Sequence, residues 1–247
     1  GQPQPFRQGA TAETGEDDRS RRRLQHLSAM LKNLMIYGAA GYTGGMAARC
    51  AKEVGLDIVI AGRDGVALAG LAATLKAESR QFALDNDDAI RKALDGVAVL
   101  LNCAGPFHRT AMPLMQACIA GGVHYLDIAA ELDSYRIAEE LDAQATSAGV
   151  MLLPGSGGSV AMLGCLTRHV LKRVPEPQSI SIALHVAGSM SRGSALSAAE
   201  NMTECLARVS GQLVRRDPHA VRDFDFGRGA VSCFPVTLPD LITIWKD

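Results

Sequence analysis

Aromatic side chains are scarce, 4% of the 247 residues with a single Trp, so the chain offers no row of stacking platforms for nucleic-acid bases. Positive charge is not in excess either. The balance of 25 Lys and Arg against 26 Asp and Glu leaves a net charge of -1, which excludes the electrostatic footprint of a nucleic-acid or other polyanion binder. No apolar run approaches the length of about 18 residues that a membrane span needs. The six Cys, at 50, 103, 118, 165, 205 and 233, show neither CxxC nor His-Cys ligand spacing, so no metal site is expected. They read as small buried hydrophobes of a reducing, cytoplasmic setting. None of the four Tyr, at 37, 42, 125 and 135, has a Lys four residues on, so the YxxxK chemistry of short-chain dehydrogenases is absent.

What the chain does have is glycine in one decisive place. Leu34-Met35-Ile36-Tyr37 is long enough for one buried strand, and it breaks into Gly38, Gly41 and Gly44, spaced GxxGxxG. Ala47, Ala48, Cys50, Ala51 and Val54 then recur at helical spacing. Strand, tight turn and helix in this order bring bare backbone N–H groups and the positive end of a helix to one point, which suits a pyrophosphate. Gly38 permits the turn, Gly41 removes a side chain that would block the phosphate, and Gly44 lets the helix lie close on the strand. Ala40, Tyr42 and Thr43 complete the expected phosphate-facing backbone. A glycine-rich turn without a ligand has the same spacing, so the motif needs its context.

The context is a regular alternation. A second apolar run, Leu56 to Ala61, ends in Gly62-Arg63-Asp64, where an NAD-binding fold places an acid for the ribose hydroxyls. Arg63 instead matches a 2'-phosphate in charge and fork geometry, so NADP is the expected cofactor. A helix over 66–77 leads to a third strand over 80–85, and Asp85, which ends it, joins the candidate cofactor residues. A helix capped near Asn86 or Asp87 runs to Leu94, and a fourth strand over 97–101 is continuously apolar, as a strand buried on both faces should be. Asn102, Cys103, Ala104, Gly105 and Pro106 close it with small residues, a floor for a nicotinamide ribose. Helix 112–120, strand 124–128, a long amphipathic helix over 131–148 and a sixth strand over 150–153 follow. Six strands alternating with helices imply right-handed crossovers and a doubly wound parallel sheet, an α/β NAD(P)-binding Rossmann domain.

The runs MIYGAAGYTG, IAGRD, LLNCAGPF, GGVHYLDIAAE and GVMLLPG resemble, in order and spacing, the NADP-binding half of saccharopine-dehydrogenase-like oxidoreductases. The stretch from Gly188 to Ala195 resembles the start of that family's second domain. The resemblance implies an NADP-binding Rossmann domain, then an α+β domain that shapes a small-molecule substrate cleft and often a homodimer. Known members include saccharopine-forming reductases and trans-acting enoyl reductases. The chain departs from the family after Gly155, where Ser156-Gly157-Gly158-Ser159-Val160-Ala161 replaces a motif of the type GFDxxPxD, and it ends well before such proteins end, as a fragment would.

The expected organisation is therefore a disordered tail over 1–29, the Rossmann domain over 30–157, and an incomplete α+β domain over 158–247. The tail is polar, holding four Arg around one Ser at 19–23 beside Glu16, Asp17 and Asp18. Met30, just ahead of the first strand, is a plausible start, with the upstream part an extension. The second domain is read as a helix over 160–173, a strand over 180–186, a helix over 194–209, then short strand-like runs. A bound nicotinamide cofactor leaves the protein to supply orientation, polarisation and a proton. Candidates at the carboxyl edge of the sheet are His108, Arg109, His124, Tyr125, Asp127 and Glu131, and none stands out as catalytic. Tyr125 and Asp127 share one strand face, a position equally suited to packing or hydrogen bonding. The reading is an NADP-dependent oxidoreductase acting on a small carbonyl, imine or enoyl substrate, or alternatively an NADP-binding sensor or scaffold without turnover.

Overall fold

A computed structural model describes residues 34–174, 176–185 and 205–246. The expected tail over 1–29 and the family-like stretch Gly188–Ala195 lie outside the described residues. The first strand, β1 (Leu34–Tyr37), leads through the glycine turn into α1 (Tyr42–Glu53), β2 (Ile58–Gly62) and α2 (Gly65–Leu75). There follow β3 (Glu78–Gln81), α3 (Asp87–Ala93), β4 (Val99–Asn102), α4 (Phe107–Gly121) and β5 (His124–Asp127). Helices α5 (Leu132–Glu140) and α6 (Asp142–Ala148), the short strand β6 (Leu152–Leu153) and α7 (Gly158–Leu171) complete this part.

The six strands form one parallel sheet in the order β3-β2-β1-β4-β5-β6. Ile36 of β1 pairs with Ile60 on one side and Leu101 on the other, so the first strand is central. Its alternate residues enter two cores. Met35 and Tyr37 join Val59, Ala61, Leu100, Leu114 and Met115 on the α3/α4 face, whereas Ile36 joins Ile58, Ile60, Ala48 and Leu68 on the α1/α2 face. Helices thus cover both faces, as the doubly wound reading requires. The chain reverses its direction of growth between β1 and β4, and ligands of such sheets bind outside the carboxyl ends of the strands at that switch.

Several boundaries differ from the sequence reading. The third strand occupies Glu78–Gln81, earlier than 80–85. It is an edge strand, needs no apolar run, and is largely exposed, while Phe82 just beyond it buries its ring against Tyr37 at 4.9 Å. Helix α4 begins at Phe107 and runs through Pro113, because Phe107 and Ala111 are buried in the first turns and anchor it there. The single long helix over 131–148 is two, broken at Leu141 (φ -92°, ψ 0°), whose side chain turns into the core.

Beyond α7 the corrections are larger. Ile180 to His185 are not a strand: Ile180, Ile182 and Leu184 are each more than a third exposed, and no described strand pairs with them. The end of the helix expected over 194–209 is instead β7 (Leu206–Val209), which pairs antiparallel with β8 (Gln212–Arg215). The hairpin turn is Ser210-Gly211, both at positive φ (48° and 81°), and such a two-residue turn dictates paired strands where helical spacing pointed to a helix. A second hairpin, β9 (Arg222–Asp225) with β10 (Ala230–Cys233), precedes α8 (Asp240–Lys246). Leu206 of β7 and Ile242 of α8 pack on Leu132 and Tyr135 of α5, which fastens this region to the Rossmann domain.

Candidate functional site

The glycine turn is built by local sterics. Gly38 sits at φ +80°, and a Cβ on it would lie 2.9 Å from Ala104, so the turn after β1 and the loop after β4 touch across the switch point. Its N–H and that of Ala39 both donate to Ala61 O, at 2.8 and 3.2 Å. Gly44 faces the turn that ends β1: a Cβ there would stand 2.8 Å from Gly38 C and 2.9 Å from Ala39 Cα. Gly41 is the opposite case. It is the N-cap of α1 in extended conformation, it is exposed, and a Cβ would meet only Gly38 O, at 3.2 Å.

The first turn of α1 carries no acidic residue and no capping side chain, so the N–H groups of Tyr42, Thr43 and Gly44 have neither intrahelical nor side-chain acceptors there. The next helix is finished differently: Asp64 caps α2 by accepting from Ala67 N at 3.0 Å. The first turn of α1 therefore has N–H groups to offer an anion, whereas the capped turn of α2 does not. Above Gly41 the surface is open, which is the room a pyrophosphate needs, and these residues fit the group. A groove of about 500 Å³ runs from Ala40 and Gly41 down between α1 and α2 past Met46, Arg49 and Leu71. Only its rim belongs to the crevice over the sheet edge.

Arg63 follows the last residue of β2 and is exposed, and its carbonyl is held by Gln81 Nε2 at 3.0 Å. Burial raises the pKa of Tyr37 above its ordinary value; the nearby Arg63 guanidinium works against that rise and the Asp85 carboxylate adds to it. Arg63 and Asp85 thus gather at the carboxyl end of β1, where the adenosine half of a dinucleotide would lie. Asp85 is exposed in the loop after Phe82.

The loop after β4 is shaped from inside. Asn102 is fully buried, and its Oδ1 accepts from Ala104 N at 2.9 Å. Its Nδ2 donates to Thr110 Oγ1 and to Tyr125 OH, at 3.0 and 3.1 Å, and Thr110 Oγ1 in turn donates to Ala104 O at 2.7 Å. The Asn102 side chain therefore holds the loop and leaves Cys103, Ala104 and Gly105 to form its surface. Burial first, and the Asp127 charge second, push the Cys103 thiol up to about 12.

Asp127 is the hub of the other half of the site. It is fully buried, and its Oδ1 accepts from Ala129 N and Gly155 N at 2.9 and 2.8 Å. Its Oδ2 accepts from Tyr125 OH at 2.9 Å and from Ser134 Oγ. One carboxylate thereby fixes the ends of β5 and β6 and the start of α5. Burial, with Asp127 adding to it, raises the Tyr125 phenol well above its ordinary value, so Tyr125 stays a donor. Of the two uses open in sequence, Tyr125 serves both, its ring packing in the core of the α3/α4 face while its hydroxyl hydrogen-bonds, and Asp127 serves the second.

His124 faces away from this network, its Nδ1 accepting from Met151 N at 3.0 Å. Glu131, only 4% exposed, accepts from His108 N through Oε2 at 3.1 Å, and the same oxygen lies 3.7 Å from His108 Nδ1. Sequence reasoning missed Thr110, Ser134 and Gly155. The partial signal was Asp127 itself: an Asp closing a buried strand commonly accepts from the N–H two residues on, as Asp127 does from Ala129, and needs further donors, here Ser134 and Gly155, whose positions the sequence does not mark.

The comparisons agree with this architecture. Residues 34–153 match the family model described as the saccharopine dehydrogenase NADP binding domain. A trans-acting enoyl reductase of Mycobacterium leprae is 32% identical over 133 residues, 50% of this chain and 32% of that protein. One from Mycobacterium tuberculosis is 29% identical over 133 residues, 51% of this chain and again 32% of its own length. The chain thus spans about a third of the curated relatives it matches. In fold, it resembles the saccharopine dehydrogenase (L-Glu forming) of Saccharomyces cerevisiae with a TM-score of 0.59 and 15% identity, over 83% of this chain and 49% of that one.

Proposed function

We propose, on the premise that residues 34–153 belong to the saccharopine dehydrogenase NADP-binding family, that this chain is the cofactor-holding part of an NADP-dependent oxidoreductase. The observation that carries the reading is the bare first turn of α1 over Gly41, with the exposed Arg63 just past the end of β2, the strand next to β1. The Gly38–Gly44 turn holds the pyrophosphate on N–H groups, and Arg63 holds the 2'-phosphate, with Asp85 near the same ribose. Cys103, Ala104 and Gly105 form the floor for the nicotinamide ribose, on a loop fixed by Asn102. Once bound, NADPH supplies a hydride.

The substrate is a small carbonyl, imine or enoyl compound, entering between the sheet edge and the α+β region after residue 157. Two relatives are trans-acting enoyl reductases by name, and this supports placing enoyl thioesters on the substrate panel. We place the protein in the cytoplasm, supported by the free state of all six cysteines, with a homodimer formed through the second region. Among the described residues no helix is long and apolar enough to cross a membrane.

The test is turnover: NADPH absorbance followed against keto acids with amines and against enoyl thioesters, for a version extended past Asp247. Oxidation of NADPH with one substrate class is the expected result. NADPH binding by calorimetry without turnover of any member would favour the sensor reading, and no binding would overturn both.

A further inference from the structure

Gly65 is a glycine that the backbone does not call for. It is the first residue of α2, and its φ lies outside the left-handed region, where alanine would favour the helix more. What the position requires is space. A Cβ on Gly65 would stand 2.8 Å from Cδ and 3.2 Å from Nε2 of Gln81, so the Gln81 carboxamide lies across the first residue of the helix. Gln81 is the last residue of the edge strand β3, paired with Gly62 of β2. Just beyond that pair, Phe82 N donates to Gly62 O at 3.0 Å. The next carbonyl is that of Arg63, and there the side chain takes over from the main chain, Gln81 Nε2 donating to Arg63 O at 3.0 Å. One residue further on, Asp64 is tied to Ala67 N by its own side chain, also at 3.0 Å. The main chain is thereby held before, at and after Arg63, whose side chain is exposed. A guanidinium carried on a fixed turn loses less freedom on meeting a ligand than one carried on a turn that rocks.

We propose that Gln81 is a positioning residue for cofactor selectivity. In the space that Gly65 leaves, it fixes the Arg63 main chain so that the guanidinium is presented to the 2'-phosphate of NADP. This rests on the reading of Arg63 as the residue that holds that phosphate. Gln81 acts through Arg63, so its contribution falls on the one group that distinguishes NADP from NAD and not on the pyrophosphate, which the β1 turn holds by itself. The proposal also accounts for the glycine: a methyl at position 65 and the Gln81 carboxamide cannot share one place.

Calorimetric titration of the chain with NADP and with NAD, alongside thermal melts, tests it. Gln81→Met keeps the length of the side chain and removes the donor. Gly65→Ala keeps Gln81 and puts a methyl where its carboxamide lies. Each should weaken NADP about three- to tenfold, the worth of one hydrogen bond, and leave NAD unchanged. Gly65→Ala should melt no lower than wild type, because alanine is the better helix former. Both changes remove the same bond, so the double variant should lose no more NADP affinity than the worse single one. In an Arg63→Ala background, Gln81→Met should have no further effect on NADP. Wild-type NADP affinity in Gln81→Met, with Arg63→Ala still weakened, overturns the positioning role alone. A loss that persists in the Arg63→Ala background shows that Gln81 acts by another route and overturns it too, as does an equal loss of NAD and NADP, which would mark a structural role. Wild-type NADP affinity in Arg63→Ala is a different failure, that of the 2'-phosphate reading itself.

Discussion

The two halves of the crevice are made in opposite ways. On the β1-α1-β2 side the protein leaves its polar groups bare: the first turn of α1 has no capping side chain, Gly41 stands open, and Arg63 is exposed. On the β4-β5 side it satisfies most of them itself, through part-buried Thr110 and the buried Asn102, Tyr125, Asp127 and Ser134, with Glu131 Oε1 and Tyr135 OH the exceptions among the described residues. The difference separates binding from support. A half that is bare is completed by a ligand and contributes affinity, whereas a half that is closed contributes stability and a fixed floor against which the ligand is oriented.

The comparison breaks most visibly at Asp127. Replacing it by Ala leaves the buried donors Ala129 N, Gly155 N, Tyr125 OH and Ser134 Oγ without their acceptor, and should destabilise the fold by about 3 to 5 kcal/mol in urea unfolding. A loss under about 1 kcal/mol would mean that the network is not a support. The bare half should answer in the opposite sense. Gly41→Val is expected to abolish NADPH binding in calorimetry while the thermal melt stays near wild type, because its Cβ meets only Gly38 O. Gly44→Val instead forces α1 off β1 and should cost about 1 to 3 kcal/mol of stability along with affinity. Wild-type NADPH affinity in Gly41→Val would put the pyrophosphate elsewhere.

A finer contrast lies within the bare half. Arg63→Ala should weaken NADP about ten- to a hundredfold, or about 1.5 to 3 kcal/mol for a charge-assisted contact, and leave NAD unchanged. Equal affinities for the two dinucleotides in the wild type would remove the 2'-phosphate from Arg63.

The smallest effect concerns protons on the closed side. Cys103 and Cys118 thiols are both pushed up to about 12, chiefly by burial. Because the folded state raises these acids above their unfolded values, the stabilisation is complete at neutral pH and is lost as pH rises from about 9 toward about 12. Alkaline unfolding should therefore set in over that window. At pH 8, iodoacetamide should label the exposed Cys50 and Cys165 well before Cys103 and Cys118, and equal labelling would contradict the shielding of these two thiols.

What the sequence determined by itself is whatever local sterics and short periodicities control. Leu34–Tyr37 forms the buried strand its apolar run suggests, Gly38 turns at positive φ, Gly44 lies against the turn after β1, and Arg63 falls just past the end of β2. Each follows from residues within a few positions of one another, and with them came the cofactor class and the doubly wound sheet. Where the sequence reading failed locally, a stronger local signal was present: Ser210-Gly211 turns a hairpin that helical spacing had concealed. The rest was decided by tertiary structure. Asn102 meets Tyr125 across 23 positions, Asp127 meets Gly155 across 28, and Glu131 reaches back to His108 only because β5 lies beside β4 and both loops open at the same edge. A polar side chain in a sequence carries no mark of its partner. Burial in a shared low-dielectric interior makes the pairing obligatory, and only the order of the strands determines which groups are brought within reach.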